Sequence, residues 1–305
     1  MTAALIIASG KTNSKTKFQP GKIIGSITAV ERIAILLQQA GIQRIVVICG
    51  EDDKIRKIRS TANITFLSAP VGGEMLDSIK EGLSYLGNKC NEALIAYVDV
   101  PMFSVNTIQT LMAAKGDVCI PSYQGRWGHP ILLRAEHFSK ILNYRGKNGL
   151  RGAFDAAELD KKIVPVEDAG VRADIQRDIF YEELLQDHDA AKLRLSCQFG
   201  IGKERVFYDD DVHHLLSLTE ELGSLSKACI YMGISLNKGR AIIATVEQQM
   251  GQSVLKTQQG GKNGGYSHLT PETKSWMTSY NAFCEEAGEV LQQLFQKHFI
   301  SKIDA

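Results

Sequence analysis

Through the first 190 residues, short continuous apolar runs alternate with amphipathic stretches, the pattern of strands buried on both faces and joined by crossover helices. Ala3 to Ala8 is one such run, followed to about Gly25 by a loop without apolar periodicity. Val30, Ile33, Ala34 and Leu37 then recur at helical spacing, with Ser26 expected to cap that helix and Ala40-Gly41 to end it. Further strands are expected at Ile45 to Cys49, Ile64 to Leu67, from Ala93 up to Asp99, and at Asp117 to Pro121. Helices are expected between them near Asp52 to Arg59, from Glu74 to Leu86 and from Val105 to Ala114. The alternation predicts an α/β unit with right-handed parallel crossovers.

The run that begins at Ala93 stops abruptly at Val98-Asp99-Val100-Pro101. Pro101 cannot donate to a ladder, and Ser104 suits an N-cap. Asp99 is therefore expected at the carboxyl end of a strand, where open parallel sheets bind ligands, and reads either as a Mg²⁺ ligand or as the cap of a neighbouring loop. The loop after Ala8-Ser9-Gly10 carries Lys11, Lys15 and Lys17 but matches neither standard glycine fingerprint for phosphate. It is either a phosphate cradle or a solvated basic loop.

Tyr123 to Pro130 sets Arg126 and Trp127 between Gly125 and Gly128, followed by His129. Such a turn could present a guanidinium and a ring to an anionic, ring-containing substrate, or be a hairpin with His129 held by backbone contacts. Gly149-Leu150-Arg151-Gly152-Ala153 again sets a basic residue between glycines, at an expected helix start. Asp174 precedes an expected helix from Arg177 to Gln186 and would share Mg²⁺ with Asp99 only if that segment folds back beside it. Asp187-His188-Asp189 reads as a helix end.

From residue 191 the pattern changes. Lys192 to Tyr208 alternates and is broken at Gly200-Ile201-Gly202, which fits a hairpin. Helices are expected at Asp211 to Leu222, Leu225 to Met232 and from Ser235 to Met250, the last two joined across Gly233 as a helix-turn-helix. Its second helix would offer Ser235, Asn237, Lys238, Arg240, Ala241 and Thr245 to the DNA major groove. Two short strands, Ser253 to Gln258 and Tyr266 to Leu269, flank a glycine loop and would set Lys256 and Lys262 along phosphates as a wing. A long helix starts at Thr270-Pro271, with Trp276, Tyr280, Phe283, Ala287, Leu291 and Leu294 as a core or dimer stripe. An all-helical protein-interaction domain is the other reading of this half.

Composition adds three constraints. The 305 residues suit two domains, here 1–190 and 191–305. The formal net charge is only +1, yet Lys11, Lys15, Lys17 and Lys22 all precede the first acidic residue, Glu31, which points to an anionic partner there. The 6 cysteines form no Cys-x-x-Cys pair and stand mostly in apolar runs, as in a reduced, cytoplasmic protein. Ala3 to Ala8 is too short for a signal peptide core, and no apolar run reaches membrane-spanning length.

The ordered set Ser9-Gly10, the lysine loop, Val98-Asp99-Val100-Pro101, Gly125 to Pro130 and Gly149 to Ala153 resembles the molybdenum-cofactor nucleotidyltransferases, MobA-like NTP transferases, and within them the cytidylyltransferase branch. The resemblance implies a three-layer, mostly parallel sheet of the nucleotide-diphospho-sugar-transferase type. It implies that a molybdopterin phosphate attacks the α-phosphorus of Mg-bound CTP or GTP and releases pyrophosphate. It assigns nucleotide binding to Ala8, Ser9, Gly10, Lys11, Lys15 and Lys17, catalysis to Lys17 and Asp99, the metal to Asp99 and Asp174, and the acceptor to Arg126, Gly128, His129 and Arg151. The family's Arg-Met-Gly is replaced, since no arginine lies between Gly10 and Arg32.

Gly223 to Ala228, Met232 to Ser235, the glycine loop at 260–265 and Leu269-Thr270-Pro271 resemble the winged helix-turn-helix of the molybdate-responsive repressor (ModE) and LysR-type regulators. That resemblance implies binding of double-stranded DNA by a homodimer joined through the last helix. The alternative for the whole chain is a molybdenum-related transcriptional regulator whose transferase domain senses nucleotide or cofactor.

Overall fold

The computed structural model describes residues 1–9, 21–50, 64–175, 182–258 and 266–300. The chain divides into two compact units, Met1–Lys192 and Leu193–Ala305. The expected helix near 52–59 and the glycine loop at 259–265 fall outside the described residues.

The first unit is built on an eight-stranded sheet. Its strands are β1 (Thr2–Ala8), β4 (Arg44–Cys49), β5 (Ile64–Ser68), β6 (Glu92–Tyr97), β7 (Val118–Tyr123), the short β8 (Arg126–Trp127), β9 (Ile131–Arg134) and β10 (Lys161–Pro165). The order is β10-β7-β9-β6-β1-β4-β5, with β8 paired to β7. β6, β1, β4 and β5 pair in parallel, as do β10 and β7, while β9 runs against both β6 and β7. The continuous apolar runs of β1 and β4 are buried along almost their whole length, which is why they carry no polar alternation.

Helices cover both faces. α1 (Ala29–Gln39) packs against β1 and against α3 (Val105–Ala113) on one side, sharing a core that includes Val30, Ile33, Leu37, Ile108 and Leu111. α2 (Met75–Leu86) lies on β1 and β4 on the other side, beside α4 (Phe138–Asn143) and α5 (Gly149–Ala156).

The cap of α1 is Thr28 rather than Ser26. Ile23–Ile24 (β2) and Ile27–Thr28 (β3) form a tiny antiparallel ribbon, and Gly25 at its turn has φ +67°. Ser26 is thus spent on that turn. Thr28 accepts from Glu31 N at 3.2 Å and Glu31 Oε2 accepts from Thr28 N at 2.7 Å, a capping box. Ser104 caps α3 as expected, accepting from Thr107 N at 3.1 Å. The expected helix to Gln186 is not formed over 183–186, where the chain turns and bends, and 176–181 lie outside the described residues. His188 to Ala191 is not a helix end but a short 3-10 turn, pinned where Asp189 Oδ2 accepts from Val105 N at 2.7 Å and His188 Nδ1 meets Arg32 at 3.1 Å.

In the second unit, Gly200–Gly202 (β11) is itself a strand of the expected hairpin, paired with Val206–Asp209 (β12), and the turn falls at 203–205. Helices α6 (Asp210–Leu222), α7 (Leu225–Tyr231) and α8 (Leu236–Met250) follow, then an antiparallel ribbon of β13 (Leu255–Gln258) and β14 (Tyr266–Leu269), and the long α9 (Pro271–Phe295). Each helix has a side-chain N-cap: Asp209, Ser224, Ser235 and Thr270. Gly223 and Gly251 end α6 and α8 in the left-handed region. Tyr208, Leu215, Leu216, Val246, Val254 and Tyr280 form the core. No helix among the described residues is long and apolar enough to cross a membrane.

Candidate active site at the carboxyl edge of the sheet

β1 and β6 are adjacent and parallel, so their carboxyl ends open on the same edge. β1 ends at Ala8, and Ser9 is buried with its Oγ donating to Ser78 Oγ on α2 at 2.9 Å. Gly10, Lys11, Lys15 and Lys17 lie outside the described residues. β6 ends at Tyr97, after which Val98 N donates to Ile7 O at 3.1 Å and Val100 N to Tyr97 O at 3.0 Å, turning Asp99 out of the ladder.

A second segment reaches this edge from far along the chain. Ile175 N donates to Asp99 O at 2.9 Å, so Asp174 comes to lie next to Asp99. Lys22 Nζ donates to Ile175 O at 2.8 Å, which brings an ammonium to the same place. The sequence spacing left open whether 174 returned to 99; the backbone closes that gap.

Three features hold the returning segment, and of these only the backbone anchoring of His129 was among the readings of the sequence. Asp168 Oδ2 accepts from Ser104 N at 2.8 Å and from Thr107 Oγ1 at 2.6 Å, while its Oδ1 accepts from Gly170 N at 2.9 Å. The carboxylate thereby fastens the segment to the first turn of α3, where exposed amides and the helix dipole favour negative charge. Gly170 and Gly128 let the backbones approach: a Cβ on Gly170 would overlap the Met102 carbonyl, and one on Gly128 would overlap the Val171 carbonyl. Finally, His129 N donates to Val171 O at 2.8 Å.

Beside this edge, a cavity of about 260 Å³ is walled by Tyr97, Trp127, His129, Ile131, Leu150 and Arg151, among others. The His129 ring stands edge-on to Tyr97 with centroids 4.4 Å apart, and the Arg151 guanidinium lies 5.3 Å from the Trp127 ring. His129 Nδ1 is buried without a hydrogen-bond partner. Burial pushes the imidazole down to about 4, so it is neutral at ordinary pH. Burial likewise raises the Tyr97 phenol. Gly128, His129 and Arg151 thus share one cavity; Arg126 is exposed on β8 and does not line it. His129 is held through its backbone, and its ring Nδ1 is enclosed without a partner.

Residues 6–162 match the MobA-like NTP transferase domain, more than half of the chain. The chain belongs to this family. As a MobA-like NTP transferase it is a nucleotidyltransferase, and the matched stretch contains Asp99, the Gly128-His129 turn and Arg151 but ends before Asp174. The fold agrees with solved structures. The 4-diphosphocytidyl-2C-methyl-D-erythritol synthase of Anaerococcus prevotii superposes with a TM-score of 0.52 at 16% identity, over 61% of this chain and 98% of that one. A nucleotidyl transferase from Methanothermobacter gives 0.50 at 16%, over 62% and 99%, and Rv0371c of Mycobacterium tuberculosis gives 0.50 at 15%, over 61% and 98%. At such identities the likeness is one of fold. No curated protein matches the chain significantly.

In the second unit, Ser235, Asn237, Lys238, Arg240, Ala241 and Thr245 are all exposed on or at the start of α8, on the side away from the buried Gly239, Ile243 and Val246. Gly239 permits α7 and α8 to cross closely, since a Cβ there would overlap Cys229 Sγ. Lys256 is exposed on β13, and Lys262 lies outside the described residues. The apolar stripe of α9 divides: Tyr280 is core, whereas Phe283 and Leu294 are about half exposed.

Proposed function

We propose that the first unit transfers CMP or GMP from Mg-bound CTP or GTP to the phosphate of a molybdopterin-type cofactor, and that the second is a winged helix-turn-helix that binds double-stranded DNA. An acceptor phosphate oxygen attacks the α-phosphorus, the bond from that phosphorus to the bridging oxygen breaks, and pyrophosphate leaves. The observation that carries this reading is the Ile175–Asp99 hydrogen bond, which brings two carboxylate-bearing residues together at the sheet edge where β1 ends.

A pair of carboxylates suits Mg²⁺, a hard cation that prefers oxygen ligands, and Asp99 and Asp174 would hold it. The ion would neutralise triphosphate charge. Reaction of this type needs alignment and charge neutralisation rather than a covalent catalyst. Lys17 and its loop would carry the β- and γ-phosphates. The cavity of Tyr97, Trp127, His129 and Arg151 would take the acceptor, with rings against its ring, the neutral imidazole hydrogen-bonding to it and Arg151 attracting its anionic part.

For the second unit, support comes from the exposed row on α8, where Ala241 and Thr245 leave room for a groove and Asn237 and Arg240 suit adenine and guanine edges. The half-exposed apolar residues of α9 support a homodimer through that helix.

The test is thermal unfolding of wild type and Asp99→Ala with Mg²⁺ and each of CTP, GTP, ATP and UTP. A nucleotide at about 100 times its Kd stabilises the fold by roughly 2.7 kcal/mol. CTP or GTP is expected to stabilise wild type alone; equal shifts in both proteins would remove Asp99 from the site.

A further inference from the structure

We propose that Asp117, Glu136 and His137 form a binding site for a divalent transition-metal ion of the zinc class, at the sheet edge opposite Asp99. Asp117 directly precedes β7, and Glu136 and His137 sit in the 3-10 turn Ala135–His137 that follows β9. Because β9 runs against β7, the end of one meets the start of the other, and Arg134 N donates to Asp117 O at 3.1 Å. β6 and β7 point the same way, so this cluster and Asp99 are separated by roughly the length of a six-residue strand, about 20 Å.

The donor atoms stand where ligands of one ion stand. His137 Nε2 is 3.1 Å from Asp117 Oδ1 and 3.3 Å from Glu136 Oε1, and the three atoms lie within 4.8 Å of one another. Nitrogen and oxygen atoms bound at about 2.0–2.2 Å around a tetrahedral ion are themselves about 3.3 Å apart. His137 Nε2 is buried and stands between the two carboxylates, in ion-pair range of both. An ion shared among the three would take the place of these contacts.

The surroundings fit as well. Asp117 Oδ2 accepts from Asp160 N at 3.0 Å, which fixes the carboxylate so that Oδ1 faces the imidazole. An open cavity next to the cluster, lined by Asn91, Lys115 and Arg134, leaves room for water to complete a coordination shell. The mixed set of one imidazole and two carboxylates selects a borderline ion over Mg²⁺, which the all-oxygen pair at the other edge suits.

The test is equilibrium dialysis of the chelator-stripped full chain against Zn²⁺, with metal counted per chain. The expected result is one zinc per chain that is retained in the Asp99→Asn, Asp174→Asn double variant and weakened at least about tenfold in His137→Ala and in Glu136→Gln. Glu136 is exposed, so its variant folds even if the histidine variant does not. Zinc binding equal in wild type and both cluster variants, or no binding by wild type, would overturn the proposal. Because the double variant lacks both carboxylates of the transfer site, failure here and failure of the transferase reading are separate outcomes.

Discussion

The amide of Ile175 donates to the carbonyl oxygen of Asp99 at 2.9 Å, and this single bond sets two distant stretches of chain side by side. It makes Asp174 a neighbour of the residue that ends the β6 turn. If both carboxylates serve one ion, Asp174→Asn raises the Mg²⁺ concentration needed for half-maximal transfer by about tenfold or more, since lost ligand support typically costs that much. A Mg²⁺ titration of pyrophosphate release measures it.

The returning segment depends on glycine at 170. Gly170→Ala pushes a methyl group into the Met102 carbonyl and costs about 1–3 kcal/mol, the usual range for overpacking. Urea unfolding reads the loss. If Asp174 holds the metal as proposed, transfer falls further than stability alone explains, because Asp174 moves with the segment.

His129 makes stability depend on pH in a defined window. Its folded value of about 4 lies below the unfolded value of 6.5, so between these the unfolded chain holds more protons and stability rises with pH. The difference across the window is on the order of 3 kcal/mol. His129→Gln removes this part of the slope between pH 4 and 6.5, as urea midpoints measured at pH 4.5 and 7 will show.

If the second unit binds DNA as proposed, Arg240→Ala on α8 weakens binding to a duplex selected from random sequence by about 1–3 kcal/mol. Anisotropy at several salt concentrations measures the loss. Gly239→Ala, which would force α7 and α8 apart at Cys229, is expected to lower the unfolding temperature and, under the same proposal, DNA affinity with it.

The positions of β1, β4, β5, β6 and β7 were legible because buried parallel strands are continuously apolar and punctuated at their ends, whereas β9, β10 and the order of the strands in the sheet were not. Ser104, Gly223-Ser224 and Thr270-Pro271 mark helix boundaries through local chemistry, which a sequence displays directly. Ser26 misled because a two-residue ribbon consumed it and passed the cap to Thr28. Gly200-Ile201-Gly202 misled because glycine in a short edge strand looks the same as glycine in a turn. The candidate site was legible only in part. Asp99 and the Gly128-His129 turn stand at element ends, but the bond that brings Asp174 home, and the Asp168 carboxylate that fastens it to Ser104 and Thr107, are long-range contacts without periodicity. The cavity's orphaned His129 Nδ1 depends on burial from several strands at once, which no local pattern encodes.

The most direct measurement is transfer of label from α-³²P CTP or GTP to a molybdopterin-type cofactor in the presence of Mg²⁺, comparing wild type with Asp99→Ala. Labelled cofactor and free pyrophosphate in equal amounts from wild type, reduced about 100-fold or more in the variant, is the expected result for loss of a group that stabilises the transition state. Equal rates in the two proteins, or no labelled cofactor from wild type with either nucleotide, would contradict it.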